Sequence, residues 1–338
     1  MSGGPTNESE LEERLSRPTP ELIEVLRRHA GDLLILGAGG KMGPTLAVMA
    51  RRALGPAHEV IAVSRFSNPA ARERLGAAGV RTIEGDLRDP ETVGRLPDAP
   101  HIVFMAGQKF GTERAPRDTW VMNVVVPGYV AYRFPRRRLV VFSTGNVYPL
   151  APAGSPGPSE ADPVGPIGEY AQSCLARERI FEDAADRLGT SVAIARLNYA
   201  IDLRYGVLLD IGRRVLAGEP VPVAMGYVNV IWQGDANDRA LRCLALASRP
   251  PTIVNVTGEK IGVRQLAQEF GRRLGRPPRF AGTEAADALL SDASRSLQLF
   301  GPPLVDLDTM IEWTSEWLLA GRPTLDKPTR FEARDGQF

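Results

Sequence analysis

Three glycines at even spacing, Gly37, Gly40 and Gly43, are the first residues of this chain whose type and position suggest chemistry. They directly follow the apolar run Leu33–Leu36. Residues 44–54 come next, with apolar side chains at helical spacing (Leu46, Val48, Met49, Leu54). Strand, glycine turn and helix is a layout that holds a dinucleotide pyrophosphate. The glycines let the backbone approach the phosphates, and the helix N-terminus offers free N–H groups and a positive dipole end. The spacing reads G-x-x-G-x-x-G, because a G-x-G-x-x-G reading would place its last position on Met42. Lys41 and Met42 lie inside the turn and belong to the same candidate cradle. In a chain with 34 glycines the triplet gains its weight from the strand in front of it.

A second apolar run, 59–65, ends roughly 20 residues after the last glycine, where an acidic residue would grip the ribose hydroxyls of NAD. Ser64 and Arg65 stand there instead. A hydroxyl and a guanidinium suit a 2′-phosphate, since Arg can bond phosphate in bidentate fashion and an acid would repel it. NADP is therefore favoured over NAD, with a solvated strand-end Arg as the other reading of Arg65. At the end of the run 101–107, Ala106 and Gly107 are small enough for a cofactor to lie against the backbone.

These residues need a scaffold, and the chain supplies it in order. Short apolar runs at 33–36, 59–65, 80–84, 101–107, 139–142 and 192–195 alternate with helical patterns. That alternation implies right-handed β-α-β units, a parallel sheet and ligands at the carboxyl ends of the strands. The expected fold class is α/β, a Rossmann-type doubly wound parallel sheet with a small C-terminal α/β substrate lobe. Residues 1–30 read as a helical extension, with Thr19-Pro20-Glu21 as a capped helix start. The dinucleotide domain is expected over 31–200 with return segments at about 228–258, the lobe over 201–227 and 259–325, and a surface tail over 326–338. The Pro- and Gly-rich stretch 149–166 is expected to form a long loop over the active face.

Composition narrows the function. The 338 residues are 43% hydrophobic and 24% charged with a net charge of +1, so no basic face for nucleic acid is expected. No apolar run approaches the ~20 residues of a membrane span, and residues 1–13 are polar rather than signal-like. Two cysteines, Cys174 and Cys243, make no disulfide framework, and a cytoplasmic location is the simplest expectation. Three scattered histidines without an H-x-x-x-H or C-x-x-C pair give no reason to expect a metal.

Read together, the motifs resemble the extended short-chain dehydrogenase/reductase family of nucleotide-sugar epimerases and dehydratases, over about residues 32–317. The glycine signature matches Gly37, Gly40 and Gly43. The adenine-contacting Asp after the third strand matches Asp86, with Leu87 beside it. The small-residue motif matches Ala106 and Gly107, and the Asn of the following helix matches Asn123. The serine-rich stretch ending in Val-Tyr matches residues 143–148 and puts the catalytic hydroxyl at Thr144. The Tyr of Y-x-x-x-K falls on Tyr170. The resemblance implies hydride transfer with a nicotinamide cofactor at a hydroxyl or ketone of a sugar-like substrate, in a homodimer joined through the helices near 118–132 and 168–188.

One departure matters. The lysine of Y-x-x-x-K lies one helical turn after the tyrosine, holds the nicotinamide ribose and lowers the tyrosine pKa from its usual ~10. This chain has Cys174 there. The family layout makes Lys109 the nearest substitute cation. The cofactor's own charge, or a non-catalytic dinucleotide-binding protein, are the other readings. The segment Arg196-Leu197-Asn198 is one residue short of the family's Arg–Asn pattern, and the Arg that often binds a nucleotide's phosphates has no clear counterpart. Nucleotide sugar, free sugar, sugar acid and lactone all stay open as substrates. Asn146, Asn198, Tyr199 and Trp232 are the candidate substrate-pocket residues.

Overall fold

A computed structural model describes residues 3–112, 114–327 and 329–337. Seven parallel strands form the central sheet in the order Thr252–Val256, Ser191–Leu197, Arg138–Thr144, His101–Phe104, Leu33–Leu36, Val60–Ser64, Arg81–Glu84. The order reverses beside Leu33–Leu36, so the crevice at the carboxyl ends opens directly over the glycine turn. This is a Rossmann-type α/β sheet. Strands such as Leu33–Leu36 are buried on both faces, which explains their unbroken apolar runs. One face packs against Gly43–Leu54 and Gln233–Arg242, the other against Val126–Arg133 and Gly168–Arg187.

A second core lies in the lobe. The helices Val207–Ala217, Val263–Leu274 and Leu307–Leu319 pack on the strand Tyr227–Trp232, which pairs with Ala200–Ile201 and Glu259–Gly262. The N-terminal extension joins both cores. Leu11 and Leu15 of Glu8–Leu15 enter the lobe core, while Leu22 and Leu26 of Pro20–Arg28 enter the sheet core. Thr19 caps its helix by accepting from Leu22 N, and donates from N and Oγ1 to Asp238 Oδ1. No helix among the described residues is long and apolar enough to cross a membrane.

Three elements differ in detail from the expectation. The surface tail is anchored at two of its described residues: Phe331 is 2% exposed within the lobe core, and Thr329 N and Oγ1 donate to Asp210 Oδ2 at 2.8 and 2.6 Å. The loop 149–166 is anchored: Ala151–Pro152 pairs with Asp287–Ala288, and Glu160 accepts from Asn255 N at 2.6 Å, which ties it to the lobe at one point and to the edge strand Thr252–Val256 at another. The helix expected from Asp118 is a composite of Pro116–Trp120, a π-helical turn Val121–Val125 and Val126–Arg133. Such a turn commonly marks a functional site, and here it carries Asn123.

Candidate active site

The glycine turn is built for close approach. Gly37 has φ +93°, and a Cβ there would stand 2.5 Å from Ala106 Cα and N. A Cβ on Gly43 would stand 2.3 Å from Ala38 O, so only glycine lets the helix start so near the strand. Helix Gly43–Leu54 begins at Met42 with no side-chain cap, leaving its first N–H groups available to an anion. The turn opens on a groove of about 660 Å³ whose walls include Gly37, Gly40, Lys41, Met42, Gly107 and Tyr170.

At the ribose end, Ser64 lies against the turn, where a Cβ on Gly39 would meet its Oγ at 2.3 Å. Arg65 is exposed and is not part of the groove wall; Ser67, Asn68 and Arg74 line it instead. Asp86 is held by Arg88, whose Nη2 stands 2.6 Å from Oδ2, and that hydrogen bond keeps the carboxyl below its ordinary range. Leu87 is buried in the core. Neither residue lines the groove.

Thr144 ends its strand and Tyr170 begins the long helix Gly168–Arg187, and the two hydroxyls meet in hydrogen-bonding contact. Thr144 Oγ1 donates to Asn146 Oδ1 at 3.0 Å and accepts from Asn146 N. Burial pushes the Tyr170 phenol well above its usual pKa, so it stays protonated at neutral pH. Cys174, one turn on, is buried beside Tyr170, Tyr148 and Val147, and burial raises its thiol pKa. It is no thiolate nucleophile.

Positive charge reaches this tyrosine from two other places. Lys109 Nζ lies 5.8 Å from the centroid of the Tyr170 ring, and burial pulls its pKa down to about 8. Arg177, on the tyrosine's own helix, donates from Nη1 to Phe142 O at 2.9 Å and from Nη2 to Asn123 Oδ1 at 2.7 Å. Its charge favours ionisation of Tyr170, against the effect of burial. Positions 170, 174 and 177 share one helical face, a spacing that could have identified Arg177 from sequence.

Asn123 is a structural pin. Its side chain donates to Gln108 O and Ser173 Oγ and accepts from Gln108 N and Arg177 Nη2. With its amide committed to protein and fully buried, it is corrected from cofactor contact to support. A second buried network stands behind Thr144. Arg196 pairs with Glu178 at 2.7 Å and donates to Tyr148 Oη, Tyr148 donates to Asn255, and Ser143 donates to Glu178. It clamps three strand ends to the Tyr170 helix.

Beside the groove is a pocket of about 150 Å³, lined by Lys41, Lys109, Thr144, Tyr170, Tyr205 and Thr329 among others. Asn146, Asn198 and Tyr199 are on its wall. Asn198 Nδ2 is buried without a hydrogen-bond partner among the described residues, a donor available to a ligand oxygen. Tyr199 has φ +43°, a left-handed backbone that costs about 1–3 kcal/mol for a non-glycine residue. Lys41 Nζ donates to Ala200 O at 3.2 Å, sits 3.7 Å from the Tyr205 ring centroid, and has its pKa lowered to about 8 by burial. Trp232 is corrected: it lies in the lobe core, edge-on to Trp313 at 5.6 Å, and does not reach the pocket. Among the described residues no group of His, Cys, Asp and Glu is placed to hold a metal ion.

A reversed-order parallel sheet, a glycine cradle, and a Thr at a strand end meeting a Tyr at a helix start define the extended short-chain dehydrogenase/reductase class. Residues 33–205 match the NAD dependent epimerase/dehydratase family, and the chain belongs to it. Solved structures of similar architecture include MoeE5 in complex with UDP-glucose and NAD, at 21% identity over 86% of this chain and 99% of that one, with a TM-score of 0.70. Thermus thermophilus UDP-glucose 4-epimerase in complex with NAD is 22% identical over 84% and 98%, TM-score 0.69. A double mutant of DesIV, a dTDP-glucose 4,6-dehydratase from Streptomyces venezuelae, with NAD and DAU bound, is 20% identical over 85% and 96%, TM-score 0.70. At these identities the likeness is one of fold. No curated protein matches the chain.

Proposed function

We propose that this protein is an NAD(P)-dependent oxidoreductase or epimerase acting on a hydroxyl or ketone of a sugar-like substrate. One juxtaposition carries the reading: the Thr144 and Tyr170 hydroxyls meet where groove and pocket join, with Lys109 Nζ 5.8 Å from the phenol ring. The glycine cradle and its uncapped helix start fit a dinucleotide pyrophosphate. Ser67, Asn68 and Arg74 on the groove wall favour a 2′-phosphate, hence NADP over NAD.

In this reading Thr144 turns its hydroxyl from Asn146 Oδ1 to the substrate oxygen and orients it. Tyr170, kept protonated by burial, gives its proton to a ketone oxygen, or its phenolate takes one from a hydroxyl in the reverse direction. Lys109 and Arg177 stabilise the phenolate that this transfer creates, the task a lysine at position 174 would perform. When bound, the nicotinamide ring supplies or accepts the hydride. The alternative of a non-catalytic dinucleotide-binding protein rests on Cys174 alone, and the two other cations weaken it. Two buried free thiols, Cys174 and Cys243, suit a reducing cytoplasm. Val125 and Tyr132 are 40% and 67% exposed on the outer helices, which supports a homodimer through that face.

The test is turnover of NADP(H) and NAD(H) with a panel of sugars, sugar acids, lactones and nucleotide sugars. Tyr170→Phe should lower kcat at least ~100-fold and leave dinucleotide affinity within a few-fold. Turnover that persists unchanged in Tyr170→Phe would overturn the assignment.

A further inference from the structure

Resting on that reading, we propose that residues 322–327 and 329–337 form a strap across the cleft that limits the substrate to a compact, monosaccharide-sized molecule carrying no nucleotide. The strap leaves the helix Leu307–Leu319 and is tied at several of its described residues. Arg322 donates to Pro5 O at 2.7 Å, and Leu325 N donates to Arg204 O at 2.9 Å. Leu325 and Lys327 then line the dinucleotide groove. Thr329, held by Asp210 on the helix Val207–Ala217, lines the pocket that contains Tyr170. Phe331 is sealed in the lobe core.

Beyond Phe331 the strap runs over the lobe. Arg334 donates to Ala224 O at 3.3 Å and Asp287 O at 2.8 Å, and pairs with the Asp287 carboxylate. Gly336 packs against the first residues of the tyrosine helix: a Cβ on it would stand 2.2 Å from Ile167 O and 2.9 Å from Gly168 Cα. Lobe, strap and catalytic helix are thus joined beside the pocket that contains Tyr170.

What the strap leaves is small. The Tyr170 pocket measures about 150 Å³. That is the liquid volume of about five waters, and sites for larger ligands run to ~300–1,000 Å³. A ring sugar, sugar acid or lactone has that size, whereas a nucleoside diphosphate sugar is about threefold larger. Asn198 Nδ2, with the ammonium groups of Lys41 and Lys109 on the same wall, suits the closely spaced oxygens of such a molecule. A second cavity of about 390 Å³, between the strap and Val207–Ala217, shares no lining residue with this pocket and meets the dinucleotide groove at Arg204 and Lys327.

The experiment uses the full chain with NADP and with NAD. Steady-state kcat/KM is measured for monosaccharides, their acids and lactones against UDP-glucose and dTDP-glucose, and calorimetry follows UDP-glucose binding to the dinucleotide-loaded protein. The expected result is turnover of a compact substrate, at least 100-fold lower kcat/KM for both nucleotide sugars, and no UDP-glucose binding at millimolar concentration. In the double variant Thr329→Ala, Arg334→Ala the strap loosens, KM for the compact substrate rises at least tenfold, and discrimination against UDP-glucose narrows. Micromolar UDP-glucose binding, or nucleotide-sugar turnover equal to that of the compact substrate, would overturn the strap's role. If nothing on the panel turns over, the hydride-transfer reading fails while the calorimetric result still decides the strap. If the double variant does not fold, the wild-type comparison decides alone.

Discussion

Lys109→Met is the most direct perturbation of the proposed proton transfer. The ammonium stands 5.8 Å from the Tyr170 ring centroid. At an effective dielectric constant of ~20, a unit charge at that distance favours the phenolate by about 3 kcal/mol, or about a hundredfold in the ionisation constant. If roughly half of that is felt in the transition state, as Brønsted behaviour implies, kcat falls about tenfold. The pH profile sharpens the test. Burial lowers the lysine pKa to about 8, so its charge is present below pH 8 and is lost as the pH rises through that value. Wild-type kcat should therefore decline above pH 8. Lys109→Met should lose that limb, and Lys109→Arg should keep the charge and move the limb upward. Stopped-flow and steady-state rates at saturating dinucleotide from pH 6 to about 10 make the measurement, a window spanning both the shifted and the ordinary lysine pKa. A Lys109→Met enzyme with kcat within about twofold of wild type at pH 7 and an unchanged profile would refute the reasoning.

Two further outcomes follow from the same geometry. Cys174→Lys adds a third cation to a buried site that already holds Arg177 and Lys109, so it should lower stability by several kcal/mol, about 3–5 for an uncompensated buried charge, and bring no gain in kcat; thermal unfolding and turnover together check it, and a stable, faster enzyme would show that the site is a degenerate form of the lysine type. Gly37→Ala forces a Cβ to 2.5 Å from the Ala106 backbone at a φ of +93°, so dinucleotide affinity should fall at least tenfold, as read by fluorescence titration.

The parts of the site legible in the sequence are those made by local backbone chemistry. A glycine turn declares itself, because what it does depends on residues three positions apart and on the strand before it. Thr144 and Tyr170 were legible through motif order, and the structure places their hydroxyls in contact. Trp232 misled because Tyr227–Trp232 is buried on both faces, so alternation gave no inner side and a large aromatic could belong to core or pocket alike. Asn123 misled differently. Its position matched, but the role of an amide depends on which partners surround it, and those come from Gln108, Ser173 and Arg177. The strap was invisible for a related reason. Phe331 is the one large apolar residue between 326 and 337, and its other anchors, Thr329 to Asp210 and Arg334 to Asp287, are polar pairs far apart in the chain. Hydrophobic periodicity has no access to such pairs.

Arg204 is a mechanical junction as well as a charge. Its guanidinium pairs with Glu8 and Glu12 of the first helix and with Asp202, and its carbonyl accepts from Leu325 of the strap. The segment Glu8–Leu15 and the strap are therefore fastened to one residue on the rim of the cleft, so that loosening either is expected to loosen the other.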